Sequence, residues 1–346
     1  SSIPVMINPN AGLPRSENGK TVYDIDADEF ATAMQEMARN GATVLGGCCG
    51  TTPAHLKAMI EATKDIEDKV PEFKNETIVA SYSKSVDLSE GAVIGERINP
   101  TGKKLMKEAL RNKDMDYVLR QGITQSEAGA HILDVNMGLP EIDEKEMLCS
   151  GVYELQSVLP VPLQLDSGDA EAMEAALRLY NGKAMINSVN GKEKSMKEVF
   201  PLAKKYGGVV VCLCLDENGI PSTAEGRIAI AKKIIKRAAE YGIDKKNLAV
   251  DALVMTISTD TNNAIETLNA VDYIRNTLGV NTVLGVSNIS FGLPNREAVN
   301  TAFYTLAMSR GLSAGIINPN SRPMMNAFFS YKALAGKDES CQEYIK

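Results

Sequence analysis

From residue 93 to the C-terminal end, short β-branched runs alternate with longer stretches of helical period eight times over, and no other feature narrows the fold so far. The runs predict strands over 93–98, 130–136, 161–166, 184–189, 208–215, 248–252, 282–287 and 314–318. Helical sequence follows each, as over 170–180, 223–241 and 296–310. Residues 89–346 supply about the 250 residues that a (β/α)8 TIM barrel takes. An open doubly wound sheet would carry a glycine-rich phosphate turn after its first strand, and none is present. Gly95 and Gly102 are spaced wrongly for a dinucleotide fingerprint, and no Walker motif occurs, which disfavours nucleotide binding.

Ahead of this pattern, residues 65–91 are charged and irregular, with Pro71 and Asn75, and read as a linker. Residues 1–64 hold two βα units, strand 5–8 with helix 28–40 and strand 43–45 with helix 53–63. Two units cannot bury both faces of a parallel sheet, so this segment reads as the tail of a larger domain. The expected organisation is therefore 1–64 as the end of a truncated barrel, 65–91 as linker and 92–346 as a complete one. The start, Ser1-Ser2-Ile3-Pro4, lacks a secretion signal and reads as processed or truncated. Lys plus Arg total 37 against 44 for Asp plus Glu, the wrong sign for binding nucleic acid through phosphates. The longest apolar run, 209–215, is too short to cross a bilayer, and six sparsely placed cysteines fit a reducing cytoplasm.

Reactive side chains of such a barrel sit at the C-terminal strand ends. Here those ends supply Glu96, Asn99, Asp134, Asn136, Asp166, Asn187, Ser188, Asp216, Asp251, Asn288, Ser290 and Asn318. A rim of carboxylates and carboxamides suits a neutral or weakly basic heterocycle rich in N–H donors. Any one of these residues reads equally as a helix cap or turn residue, and Ser167 or Asp169 is the expected cap of the helix from Ala170. Asp166, ending an apolar strand, is harder to explain as a cap. The two histidines, His55 and His131, have no spaced partner, and His131 is expected to pack. Cys212 and Cys214 read as core residues, while Cys149 and Cys341 stand alone. Cys48-Cys49, flanked by glycines at a strand end, would suit zinc, but two thiolates make only part of a site.

The string Gly46-Gly47-Cys48-Cys49-Gly50-Thr51-Thr52-Pro53-Ala54-His55, with Asn8-Pro9-Asn10-Ala11-Gly12-Leu13-Pro14 one unit earlier, closely resembles the end of the homocysteine S-methyltransferase barrel. The later strings Gly95-Glu96-Arg97-Ile98-Asn99-Pro100-Thr101-Gly102, Leu133-Asp134-Val135-Asn136, Leu165-Asp166-Ser167, Ile186-Asn187-Ser188 and Gly285-Val286-Ser287-Asn288-Ile289-Ser290 resemble the pterin-binding methyltransferase barrel. In this order they are similar to the cobalamin-dependent methionine synthase family.

That resemblance implies an enzyme that binds 5-methyltetrahydrofolate and transfers its N5-methyl group to cob(I)alamin, the first half-reaction of methionine synthesis from homocysteine. It implies that Asp166, Asn187 and Asp251 hold the pterin, with Asp134, Asn136, Glu96, Asn99 and Ser188 around it, and that Asn288 approaches N5. Asn288 and Asp251 would be the catalytic pair. Cys48 and Cys49 would be two of three zinc ligands, the third belonging to the absent first part of the homocysteine barrel. Cobalamin would be held by a separate domain or corrinoid protein. Two rivals are a corrinoid-protein methyltetrahydrofolate methyltransferase, against which the Gly-Cys-Cys-Gly segment argues, and a dihydropteroate synthase-like enzyme. The latter would want cations at the later strand ends, where only Arg296 and Arg322 are close. A folate-binding module inactive without its cobalamin partner is the alternative of another class.

Overall fold

The structure, a computed structural model, describes residues 3–67 and 75–345; Ser1, Ser2, Lys346 and residues 68–74 of the expected linker, Pro71 among them, lie outside the described residues. The chain divides into two compact units, Ser1–Asn75 and Glu76–Lys346.

In the first unit, β1 (Met6–Ile7) pairs in parallel with β4 (Val44–Leu45). Between them come a hairpin of β2 (Arg15–Glu17) and β3 (Lys20–Val22), then α1 (Ala27–Arg39); α2 (Pro53–Thr63) follows β4. The hairpin was not anticipated, although Asn18-Gly19 is its signal: both residues have positive φ, as a tight two-residue hairpin turn requires. Asp26 caps α1 by accepting from the backbone N–H groups of Asp28 and Glu29. Phe30 and Met34, one helical turn apart on α1, meet Met59 of α2 and Ala11 in a small core. Met6, Val44 and Ile60 stay exposed, as two strands offer no second layer to cover them.

The second unit opens with β5 (Ile78–Ala80) and β6 (Ser85–Asp87), an antiparallel pair. Eight parallel strands follow: β7 (Ala92–Ile98), β8 (Ile132–Asn136), β9 (Leu163–Asp166), β10 (Met185–Asn190), β11 (Val209–Leu213), β12 (Leu248–Asp251), β13 (Asn281–Gly285) and β14 (Ala314–Ile317). Each pairs with the next, and β14 returns to β7, closing the barrel. The predicted (β/α)8 architecture is therefore present, with every strand within a few residues of its expected bounds. The helices between are α3 (Lys104–Arg111) and α4 (Met115–Glu127), both after β7, then α5 (Glu144–Val158), α6 (Ala170–Leu179), α7 (Glu193–Tyr206), α8 (Ala224–Glu240), α9 (Asn263–Asp272) and α10 (Arg296–Ser309). After β14 come α11 (Arg322–Leu334) and the short α12 (Gln342–Ile345).

The stretch 76–91, expected as linker, is corrected to part of the barrel unit. Val79, Val86 and Leu88 pack among Ala92, Ile94, Ile132, Met185 and Val209, which face the barrel axis. Short apolar runs broken by serines carry this plug, too short to register as a strand pattern. Residues 286–287, expected within the seventh strand, belong instead to a 3-10 turn, Val286–Ser290. Among the described residues no helix is long and apolar enough to cross a membrane.

Candidate active site at the barrel mouth

Side chains alternate between faces along a strand, so residues sharing parity with the axial core also point inward. Ala92 and Ile94 are axial on β7, which puts Glu96 on the same face; Ile132 on β8 does the same for Asp134 and Asn136. Met185 on β10 places Asn187 inward, and Ala249 on β12 places Asp251 inward. Each of these strands thus begins apolar at the axis and ends polar. Register then aligns the ends: Asn136 pairs with Asp166, and Asp166 with Asn187, across three adjacent strands.

Hydrogen bonds tie this row together. Asn136 Nδ2 donates to Asp166 Oδ2 at 3.0 Å. One layer below, Asp134 Oδ1 accepts from Gln164 Nε2 at 2.6 Å and from Asn187 Nδ2 at 3.5 Å. Gln164, fully buried, was missed in the sequence, though a lone polar residue between Leu163 and Leu165 of an apolar strand was the available signal. Burial pushes Asp166 up to about 6, with Asn136 opposing and Glu144 adding. Burial raises Asp134 well above the carboxylate range, and the Asp166 carboxylate adds to it. A cleft of about 370 Å³ opens here, lined in part by Asp166, Ser167, Asn187, Ser188 and Lys192. Asp169, not Ser167, caps α6 by accepting from the N–H groups of Glu171 and Ala172, so Asp166 is free of that duty. Ser167 Oγ donates instead to Glu144.

Asp251 stands on β12, apart from that row. Its Oδ1 accepts from Leu253 N at 2.7 Å, and burial pushes it up to about 7 against the Leu253 N–H and the Arg227 charge. Glu96, raised chiefly by burial, accepts from Ser287 Oγ at 3.1 Å. Lys103 Nζ donates to the Glu96 carbonyl at 3.0 Å, and its own pKa is lowered by burial. Neither Ser287 nor Lys103 was read from sequence as a site residue.

Asn288 lies exposed on the 3-10 turn after β13, and its carboxamide has no hydrogen bond among the described residues. The turn is braced by Arg296, whose Nε donates to Ser290 Oγ at 3.0 Å and whose Nη2 donates to the Ser287 carbonyl at 2.8 Å. Two of the guanidinium nitrogens of Arg296 are thus engaged in the protein. Asn99 and Asn318 act locally, accepting from the N–H groups of Thr101 and Asn320, and Asp216 accepts from Asn218 N.

In the first unit Cys48 and Cys49 are exposed, with Sγ atoms 3.9 Å apart. Their loop is pinned by Cys48 N donating to the Pro9 carbonyl at 2.8 Å and Cys49 N to Asn10 Oδ1 at 3.0 Å. Gly50, with φ +80°, could not carry a Cβ, which would meet the Tyr23 ring at 2.3 Å. His55 closes the N-terminus of α2 with Thr52 and reaches the Ile25 carbonyl at 3.0 Å. Among the described residues no group of three or more His, Cys, Asp or Glu gathers as a metal site would need, so the residues present do not complete the zinc site implied by the resemblance. In the barrel, His131 accepts from Val93 N at 3.0 Å and packs on Phe328, and Cys212 and Cys214 are fully buried.

A closed parallel barrel whose inward polar row caps an apolar axis places this unit in the (β/α)8 class, with a polar site at the C-terminal strand ends. A family model described as pterin binding enzyme matches residues 95–318, and one described as homocysteine S-methyltransferase matches residues 1–63. The methionine synthase of Mycobacterium tuberculosis (strain ATCC 25618 / H37Rv) is 32% identical over 344 residues, 94% of this chain and 29% of that protein. The methylcorrinoid:tetrahydrofolate methyltransferase of Eubacterium limosum is 33% identical over 258 residues, 73% of this chain and 94% of that protein. The dihydropteroate synthase of Xanthomonas albilineans in complex with 7,8-dihydropteroate shares the fold, with TM-score 0.60 at 20% identity over 75% of this chain and 98% of that one. The chain belongs to the pterin-binding enzyme family. Within it, the chain is related to methionine synthases through both matched segments, and it spans less than a third of their length.

Proposed function

We propose that the barrel mouth binds 5-methyltetrahydrofolate and gives its N5-methyl group to a corrinoid carried by another domain or protein. The observation that carries this reading is the inward row Asn136, Asp166 and Asn187, with Asp134 beneath it. The 2-amino-4-oxo pterin ring presents adjacent N–H donors, which a carboxylate accepts, and Asn187 can serve a ring donor and a ring acceptor together. Asp166 Oδ1 has no hydrogen bond among the described residues and is available to the ring. A relative matched over 73% of this chain and 94% of its own length is named for methyl transfer between a corrinoid and tetrahydrofolate, which supports the same chemistry here.

In the transfer, the N5–methyl bond breaks with its electron pair returning to N5, while the acceptor's own pair forms the new bond to carbon. A tertiary amine leaves poorly unless N5 carries a proton. Asp251, whose burial keeps it partly protonated near neutral pH, can hold a proton in the mouth. The free carboxamide of Asn288 can meet N5 as that cation develops. The corrinoid is the acceptor substrate. Because the Cys48–Cys49 pair does not complete a zinc site, the homocysteine half of the reaction is not assigned to this chain alone. We propose that 1–64 serves as the end of a homocysteine barrel and 92–346 as the folate barrel.

Calorimetry of the full chain tests this reading, as the sequence has no Trp to report binding. Asp166→Ala should weaken 5-methyltetrahydrofolate by about 1–3 kcal/mol or more, leaving a ring donor unpaired. Unchanged affinity would remove Asp166 from the site.

A further inference from the structure

Arg227 sits on α8 in phase with Ala224, Ile230, Ala231 and Ile234, and it is fully buried. A charged residue on the core face of a helix needs a reason, because burying an uncompensated guanidinium is costly. It makes no ion pair among the described residues. Instead Nε donates to the Pro221 carbonyl at 2.9 Å, and Nη1 donates to the Leu253 carbonyl at 3.1 Å and to Thr267 Oγ1 at 2.7 Å. These acceptors lie on the loop after β11, the loop after β12 and α9.

Leu253 is the pivotal partner. It has φ +62°, a left-handed conformation that a leucine adopts only when its surroundings impose it. In that conformation its N–H reaches Asp251 Oδ1 at 2.7 Å while its carbonyl is held by Arg227. We propose that Arg227 is a positioning residue for Asp251, clamping Leu253 so that its N–H is aimed at the carboxylate and keeping a fixed positive charge behind it. The role given to Asp251 rests on the folate reading above; the clamp itself does not.

The groups around Asp251 set the sign. From α8 comes the Arg227 charge; from the β11 side comes the Cys214 thiol, which burial pushes well up and keeps neutral. From α9, Glu266 faces Arg227 and is occupied in accepting from Ala224 N at 2.6 Å. Burial raises Asp251, and the Leu253 N–H and the Arg227 charge are what oppose it. Losing the guanidinium weakens both, so the carboxyl should stay protonated to higher pH. A protonated carboxyl accepts less well from pterin N–H groups, so binding should weaken near neutral pH and return in alkali.

The test uses the full chain with 13C-labelled aspartate carboxyls, the Asp251 resonance being assigned by its loss in Asp251→Asn. In ligand-free protein Arg227→Met should raise the Asp251 midpoint by about one pH unit or more, the equivalent of about tenfold. Arg227→Lys, which keeps the charge, should raise it less. Calorimetry with 5-methyltetrahydrofolate should show Arg227→Met weakened about tenfold near neutrality and largely recovered by about pH 9. If Arg227→Met does not fold, Arg227→Gln removes the charge with a polar side chain and is read the same way. An unmoved Asp251 midpoint in either neutral variant overturns the clamp, as does an affinity loss equal at every pH. A midpoint that moves as stated in a wild-type background that binds no folate supports the clamp and rejects the folate reading.

Discussion

The barrel mouth and the Cys48–Cys49 loop are built on the same plan, polar residues placed at the C-terminal ends of parallel strands, yet they differ in what they can gather. Eight strands closing on themselves aim Glu96, Asp134, Asn136, Asp166, Asn187 and Asp251 at one axis, burying Asp134 and Asp251 and half-burying the other four. Two strands, β1 and β4, leave their cysteines exposed. The difference is electrostatic as well as geometric. Burial pushes Asp166 and Asp251 up to about 6 and about 7, whereas Cys48 and Cys49 stand exposed to solvent. Convergence, not residue type, turns strand-end side chains into a site.

The contrast can be broken most severely at Asn288. Asn288→Ala should slow methyl transfer to free cob(I)alamin by about a hundredfold, on the order of 2.7 kcal/mol, while weakening folate binding much less. A carboxamide that meets N5 mainly in the transition state gives that split. Parallel losses in single-turnover rate and in affinity would make Asn288 a turn residue.

The next effect concerns stability. Asp251 is raised from 3.8 to about 7 in the fold, so its contribution is fully present below the unfolded value and is lost as pH rises through about 7. Asp251→Asn should therefore stabilise the ligand-free chain at about pH 8 by about 1–3 kcal/mol, with a smaller change at about pH 5, while damaging folate affinity. Urea denaturation at the two pH values checks this; equal shifts at both would show that Asp251 is not held by burial. The smallest effect belongs to the other region. Cys48→Ser with Cys49→Ser should leave folate affinity unchanged, and the chain should lose zinc on dialysis against a mild chelator. Stoichiometric zinc surviving that dialysis would show that another side chain completes the cysteine site.

The eight strands were legible because strands buried on both faces read as continuous β-branched runs, such as Val209 to Val211. Their polar ends were legible too, since Asp166 and Asp251 interrupt apolar sequence abruptly. What each end does was not. Asn99 and Asn318 look like Asn187 in sequence, and only the fold separates turn acceptors from a residue aimed at the axis. Gln164 and Arg227 were overlooked because a single polar residue within an apolar strand, or a charged one on a helix, passes as incidental until its burial is known. The plug 78–88 escaped because its apolar residues are few and its reason to order is the open barrel end beneath which it packs.

Calorimetric titration of the full chain with 5-methyltetrahydrofolate, from about pH 5 to about pH 8, tests most directly whether the converging carboxylates form a pterin site. Binding at one site per chain, tightening as Asp166 and Asp251 ionise through about pH 6 to 7 and then levelling, is the expected result. No binding, or an affinity that is flat across that range, would contradict it.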